Sequence, residues 1–258
     1  MDSSSHQDRI LDQFTRQATP FSTAKTIADE KALRLLVEFS GAAPGDTVLD
    51  VACGGGLVVC AFAQTVRRAT GIDVTPAMLQ RARTLAQDKK LRNVSWDEGD
   101  VQSLPYPDAS FSIVVSRFTF HHFLDPLAVL KEMTRVCAPG GRVLVADVEA
   151  ASDPVMAREF NRMEKLRDPS HVRAMPMMEL TGLFHAAGLP PPRMVTYELR
   201  DELENLLQRS FPNPGDELKI REMFAASAID GHLGISVRRE GERFHYAYPV
   251  AVLASDRA

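Results

Sequence analysis

The residues best suited to chemistry gather around one short stretch, "VLDVACGGGLVV" over 48–59. Asp50 sits inside an apolar run, and Gly54, Gly55 and Gly56 follow it directly. A carboxylate within a buried strand is costly unless hydrogen-bond partners or a cation meet it. Glycines between a strand and a helix let a ligand touch the backbone without interference from a Cβ. The helix amino-terminus behind them favours negative charge. Two more acids lie downstream. Asp73 closes a second apolar run about 20 residues after the glycines, where a carboxylate accepts the hydroxyls of a ribose. Asp100 follows Gly99 at the end of a third run, placed to accept from an adenine amino group. Together they describe a nucleoside site. The third glycine of the dinucleotide pattern is missing, because Val59 stands there. A carboxylate beside phosphates also gains nothing. The pattern therefore favours a nucleoside without phosphates, one whose sulfonium and ammonium groups would answer Asp50.

These residues need a scaffold that brings strand ends together. "TVLDVAC" (47–53) is apolar and β-branched and reads as a buried strand. A helix over 57–66 and a strand over 67–74 follow. Thr75 and Pro76 suit the N-cap and first position of the next helix, which carries Met78, Leu79, Ala82, Leu85 and Ala86 at helical spacing. Strands over 93–100 and 111–118, a helix over 126–137 stopped by Pro139-Gly140-Gly141, and a strand over 142–148 complete the alternation. Alternating strands and crossover helices predict an α/β fold: a Rossmann-like, doubly wound, mostly parallel seven-stranded sheet. Such sheets bind ligands beyond the carboxyl ends of their strands. Four regions are expected within one domain: a helical cap over 1–40, a binding core over 41–150, a helical lid over 151–192, and closing strands over 193–258. Leu33, Leu36, Val37 and Phe39 are the cap's packing residues, and Pro249 marks a bulge or edge in the last strand.

Bulk properties narrow the function. With 258 residues, 45% hydrophobic and 25% charged, the chain has ordinary globular composition and ample material for a core. A net charge of -4 argues against a nucleic-acid binder. No apolar run reaches the roughly 20 residues that span a bilayer. The polar start "MDSSSHQDRI" lacks the apolar core of a signal peptide. Cys53, Cys60 and Cys137 have no metal-like spacing and read as reduced thiols of a cytoplasmic protein. No metal site is expected.

Four segments in sequence, "VLDVACGGG", "GIDVTPAMLQRAR", "EGDVQSLPYPDASFSIVVSRFTFHHF" and "LKEMTRVCAPGGRVLVAD", resemble the consecutive motifs of class I S-adenosylmethionine-dependent methyltransferases. The likeness is to the group that includes the ubiquinone and menaquinone biosynthesis enzymes and many small-molecule methyltransferases. It runs from about residue 8 to 150, and "RDPSHVRAMPMMELTGLFHAAGL" resembles the group's lid. The resemblance implies S-adenosylmethionine as cofactor and S-adenosylhomocysteine as product. It implies that Asp50 faces the methionine ammonium, that Ala52, Cys53, Gly54 and Gly56 form the cofactor loop, and that Asp73 holds the ribose. Val74 and Met78 would pack near the adenine, and Asp100, with Val101 beside it, would take the adenine amino group. Ser116 and Arg117 would border the methionine portion, and Phe14 and Phe21 would close over it. The group usually has glycine where this chain has Ala52, so the added methyl is expected to tighten the turn.

The acceptor is less legible. His121 is the candidate catalytic residue: it follows the fourth strand and could accept a proton from a phenol, hydroxyl or amine. A structural or cofactor-shell role is the alternative. His122, His171 and Met175 are candidate substrate contacts, and Glu164, Arg167, Arg173 and Met175–Met178 are expected to line or cover the substrate cavity as a group. Cys53 is either a reactive thiol at a helix start or a small residue filling the loop. Trp96 reads as packing. The methionine-rich lid points to a small aromatic or quinone-like acceptor of the kind made in secondary metabolism, with the acceptor atom open and the protein a monomer or homodimer. Competing readings are an enzyme that uses the bound sulfonium charge without methyl transfer, a nonenzymatic binding protein, and a nicotinamide-dependent oxidoreductase.

Overall fold

The computed structural model describes residues 3–258; Met1 and Asp2, the first residues of the predicted cap, lie outside the described residues. Two helices, α1 (Ser3–Thr23) and α2 (Glu30–Ser40), precede the sheet. The Asp29 carboxylate accepts the Lys31 peptide N–H to start α2, and Gly41, at φ 66°, ends it. Leu33 and Leu36 are buried, and Val37 and Phe39 pack beside them.

Eight strands form one sheet: β1 (Thr47–Val51), β2 (Arg68–Asp73), β3 (Val94–Glu98), β4 (Phe111–Arg117), β5 (Cys137–Val148), β6 (Arg193–Glu202), β7 (Ser236–Glu240) and β8 (Arg243–Asp256). Seven run in the order β3-β2-β1-β4-β5-β8-β6, and β7 pairs with β8 beside them. The pairs from β3 to β5 are parallel, and β8 is antiparallel to β5, β6 and β7. The switch point lies between β1 and β4: the chain leaves β1 for β2 and β3 on one side and crosses back from β3 to β4 on the other. Pro249 falls where β8 leaves β7 and joins β5, so its missing N–H sits in the gap between those two partners.

Alternation along β1 builds both faces. Leu49 and Val51 join the cluster that contains Val129, Leu130 and Met133 of α5 (Pro126–Val136). Val48 joins Leu36 of α2 with Val59 and Phe62 of α3 (Leu57–Phe62). Both faces are covered, which is why the central strands read as unbroken apolar runs. Each fully buried Leu, Val or Phe contributes roughly 1.5–3 kcal/mol. The helix α3 ends four positions before the expected Val66. Residues 63–66 close as turns, and the Asn93 amide donates to the carbonyls of Ala63 and Val66. Pro139–Gly141 does not simply stop α5; it lies inside β5, at an irregularity where β4 skips from Phe111↔Cys137 to Ile113↔Arg142.

The greatest departures lie after β5. Of the expected lid, α6 (Pro154–Arg167) packs on α9 (Asp216–Asp230), whereas α7 (Met177–Ala186) packs on α5 at the flank of the sheet rather than over its top. The tail is not strands alone: α8 (Leu203–Ser210) and α9 interrupt it. With α6 they surround Tyr246 and Tyr248 in a separate apolar cluster.

Candidate functional site

The turn from β1 into α3 is held in an uncommon backbone shape. Ala52, Gly54 and Gly56 all have positive φ, at 57°, 49° and 78°. Glycine adopts such angles freely, but an alanine there costs about 1–2 kcal/mol. The methyl expected to tighten this turn therefore sits on a left-handed residue. Asp73, at the end of β2, pins the loop from the neighbouring strand: its Oδ2 accepts the Gly54 peptide N–H and its Oδ1 the Thr75 N–H, each at 2.8 Å. Thr75 holds the N-cap position of α4 (Pro76–Asp88), but its side chain makes no capping bond; its own peptide N–H is the one bound by Asp73. Gly56 serves packing rather than ligand approach. A Cβ there would meet the Trp96 ring at 2.5 Å and Ala82 at 2.7 Å. Trp96 is thus a packing residue.

Beyond this turn opens a cavity of about 1300 Å³, counted with its open mouth. Asp50, Ala52, Cys53, Gly54 and Asp73 form its floor, and Val74, Met78, Asp100, Val101 and Arg117 its sides. Phe14 and Phe21 of α1 cover it. Asp50 is 1% exposed, and its Oδ2 has no hydrogen-bond partner. Burial, and then the charge of Asp73, hold its pKa well above the usual carboxylate value, against the pull of Arg117. Arg117 is buried as well. Its Nη1 donates to the Ile27 carbonyl at 3.0 Å and its guanidinium lies over Phe118, 4.3 Å from the ring centroid. Its Nε and Nη2 have no partners. A carboxyl group with one unpartnered oxygen and a guanidinium with two unpartnered donors therefore border the same cavity. Cys53 is no nucleophile here, since burial and the nearby aspartates push its thiol pKa well up.

A second cavity, of about 570 Å³, adjoins the first, and Phe14, Phe21, Ile27, Phe118 and His122 line both. Its far wall carries His121, Glu164, Arg167, Arg209, Tyr246 and Tyr248. His121 Nδ1 stands 2.6 Å from Asp147 Oδ1, and Asp147 Oδ2 accepts the His121 peptide N–H at 3.1 Å. Burial works against a charge on His121, but Asp147 outweighs it and raises the pKa. His122 and His171 lie within 6.3 Å of His121 or each other, centroid to centroid, and burial together with His121 lowers both.

Several expected contacts lie elsewhere. Ser116 is fully buried under the site, donating to the Val51 carbonyl at 2.8 Å. His171 is 1% exposed, bound to Asn161 at 2.8 Å, and lines neither cavity. Met175 belongs to the core beside α5 and α7, so the substrate contact expected there is replaced by packing. Arg173 pairs with Glu179 at the surface, and Met178 is exposed. The sequence reading missed Asp147, although an acid within "RVLVADV" is the same signal that marked Asp50. It also missed Tyr246 and Tyr248, whose i, i+2 spacing puts both on one face of β8. Among the described residues no group of His, Cys, Asp and Glu is placed to hold a metal ion. No described helix is long and apolar enough to cross a membrane.

The chain was compared with known proteins. A methyltransferase-domain profile matches residues 49–145. The uncharacterized methyltransferase YcgJ of Bacillus subtilis is 32% identical over 206 residues, which covers 80% of this chain and 81% of that one. The crystal structure of YcgJ superposes with a TM-score of 0.80 at 28% identity, covering 88% of this chain and 98% of that one. A putative methyltransferase from Bacillus halodurans, 24% identical, shares the fold with a TM-score of 0.81 over 88% of this chain and 99% of that one. The ubiquinone/menaquinone biosynthesis C-methyltransferase UbiE of Bdellovibrio bacteriovorus is 38% identical over 128 residues, 49% of this chain and 54% of that one. This chain therefore aligns with about half the length of UbiE.

Proposed function

This chain belongs to the class I S-adenosylmethionine-dependent methyltransferases, and from that premise we propose that it methylates a small, aromatic or quinone-like molecule held in the second cavity. The observation that carries the reading is the pair of unpartnered polar groups in the first cavity. The free Oδ2 of Asp50 and the free Nε and Nη2 of Arg117 suit the ammonium and carboxylate of an amino-acid end. No neutral ligand and no dinucleotide phosphate would satisfy both.

The remaining residues fit the rest of the cofactor. Asp73 keeps free lone pairs for ribose hydroxyls while it pins the loop. Gly54 leaves the backbone open, with only Met78 Sδ near a would-be Cβ, at 3.9 Å. Asp100 has one oxygen on the Gln102 peptide N–H, and its other is free to accept from the adenine. When bound, the cofactor supplies an electrophilic sulfonium methyl group. The chain positions the two reactants, and positioning alone can lower such a barrier by about 7–11 kcal/mol. Phe14 and Phe21 line both cavities.

The test is calorimetric titration with S-adenosylmethionine and S-adenosylhomocysteine, alongside Asp73→Ala. Binding by the native protein that the variant loses supports the reading. A folded native protein that binds neither ligand refutes it.

A further inference from the structure

Resting on the methyl-transfer reading above, we propose that the second cavity takes a neutral phenol as acceptor, that His121 removes the phenolic proton, and that Asp147 is the positioning residue that aims it. Three observations converge on this.

The imidazole is fixed and its free nitrogen is defined. Asp147 binds His121 through both the ring Nδ1 and the peptide N–H. A carboxylate at Nδ1 calls for a proton there, so the neutral ring offers its lone pair at Nε2. That nitrogen makes no hydrogen bond to the described residues, and the residue lines the cavity. The groups that face this ring are Asp147 from β5, Glu164 and Arg167 from α6, and the imidazoles of His122 and His171. Of the three histidines, only His121 has a carboxylate on its ring.

The cavity walls favour a flat apolar molecule. Phe14, Phe21, Phe118, Leu199, Leu206 and the tyrosine rings of β8 all line it.

The cavity's own charges are spent on one another. Arg167 binds Glu164 at 2.7 Å, and Glu164 also accepts from the Tyr248 hydroxyl at 2.7 Å. Arg209 binds Asp201 at 2.6 Å. Asp168 accepts from Ser170 and from Gln17. No unpaired cation is left among the described residues of this wall for a carboxylate or phosphate acceptor. An acceptor that enters neutral and must become a strong nucleophile inside has to lose a proton there. A phenol meets that condition, whereas an amine attacks through its own lone pair before it sheds a proton.

The step balances. The phenolic O–H bond breaks and its proton passes to His121 Nε2. The oxygen's electron pair forms the new O–CH₃ bond while the pair of the breaking C–S bond returns to sulfur. A neutral thioether, a methyl ether and an imidazolium result, and the imidazolium later gives its proton to water.

The test uses the full chain saturated with S-adenosylhomocysteine and titrated with 4-nitrophenol, whose ionised form has its own visible absorption band. At a pH where free probe is mostly neutral, the bound probe should hold about tenfold more phenolate, equivalent to a one-unit fall in its pKa. His121→Asn should bind S-adenosylhomocysteine within about threefold of the native protein yet lose that phenolate. If His121→Asn does not fold, His121→Gln serves in its place, with cofactor affinity as the check. In turnover with neutral phenols, His121→Asn should lower kcat by about 10²–10⁴-fold. Asp147→Asn should move the acidic limb of the pH profile to lower pH, an effect that a packing role would not produce. The proposal is overturned if the probe does not bind, if it binds without added ionisation, or if His121→Asn ionises it as well as the native protein. A native protein that binds no S-adenosylhomocysteine overturns the methyl-transfer reading and this one with it; failure of the probe alone overturns only this one.

Discussion

Asp50→Asn should make the protein more stable and a worse cofactor binder at once. In the free protein Asp50 Oδ2 is buried without a partner, and such a group costs about 1–3 kcal/mol. The amide removes the charge and keeps the shape. For a chain of this size each kcal/mol moves Tm by roughly 2–4 °C, so a rise of about 2–12 °C is expected near neutral pH. The pH dependence has a defined sign. Burial raises the Asp50 pKa, so the folded protein holds this proton more tightly than the unfolded chain. Below the unfolded value of about 3.9, native and variant proteins differ little. As pH rises past that value the native protein loses stability, until the pH reaches the raised folded pKa. The variant's advantage grows over the same window and then levels off. Binding moves the opposite way. A charge-assisted hydrogen bond to the ligand ammonium contributes about 1.5–3 kcal/mol, so S-adenosylhomocysteine should bind about 10- to 150-fold more weakly. Thermal unfolding from pH 4 to 8 and calorimetry on the same samples measure both effects. A variant that is less stable at pH 7 and binds S-adenosylhomocysteine normally would refute the reasoning, because Asp50 would then have an unseen structural partner.

Other substitutions test separate parts of the site. Ala52→Gly relieves a left-handed alanine that costs about 1–2 kcal/mol and adds about 0.5–1 kcal/mol of unfolded-chain entropy, so a net gain of up to about 1.5 kcal/mol should appear in denaturant unfolding. Gly56→Ala combines a positive φ with contacts to Trp96 and Ala82, and should lower stability by about 2–5 kcal/mol in the same assay. Arg117→Met should weaken S-adenosylhomocysteine about 10- to 150-fold and leave 5′-methylthioadenosine, which lacks the amino-acid end, unchanged in parallel titrations. Equal losses for both ligands would show that Arg117 supports the fold rather than the ligand.

The cofactor half was legible because its signals are local. Asp50 and the glycines lie within one turn of chain, and the interval to Asp73 is set by a single crossover. The parallel core followed from unbroken apolar runs that needed cover on two faces. The acceptor half depends on contacts between distant residues, such as Gln17 with Asp168 or His121 with Asp147, which no periodicity reveals. Some misses were avoidable. Leu203, Leu206 and Leu207 in α8, and Ile220, Met223, Phe224 and Ser227 in α9, have helical spacing. Reading the whole tail as strands passed over that spacing, and with it the elements that surround Tyr246 and Tyr248. Met175 was misplaced for a related reason: methionine suits a core gap as well as a ligand pocket, and only packing decides between them.

The helix α1 stands over two rooms. Phe14 and Phe21 line both cavities, and Ser22 crowds Gly55 beneath. Its buried hydrogen bonds among the described residues include Gln13 and Gln17 donating to the Ser210 carbonyl, Gln17 to Asp168, and His6 bonding to the His122 carbonyl. Each is worth roughly 0.5–1.5 kcal/mol, so the door is light compared with the frame it closes. One door for two rooms ties their traffic together. Were α1 to move outward, both cavities would open to water together.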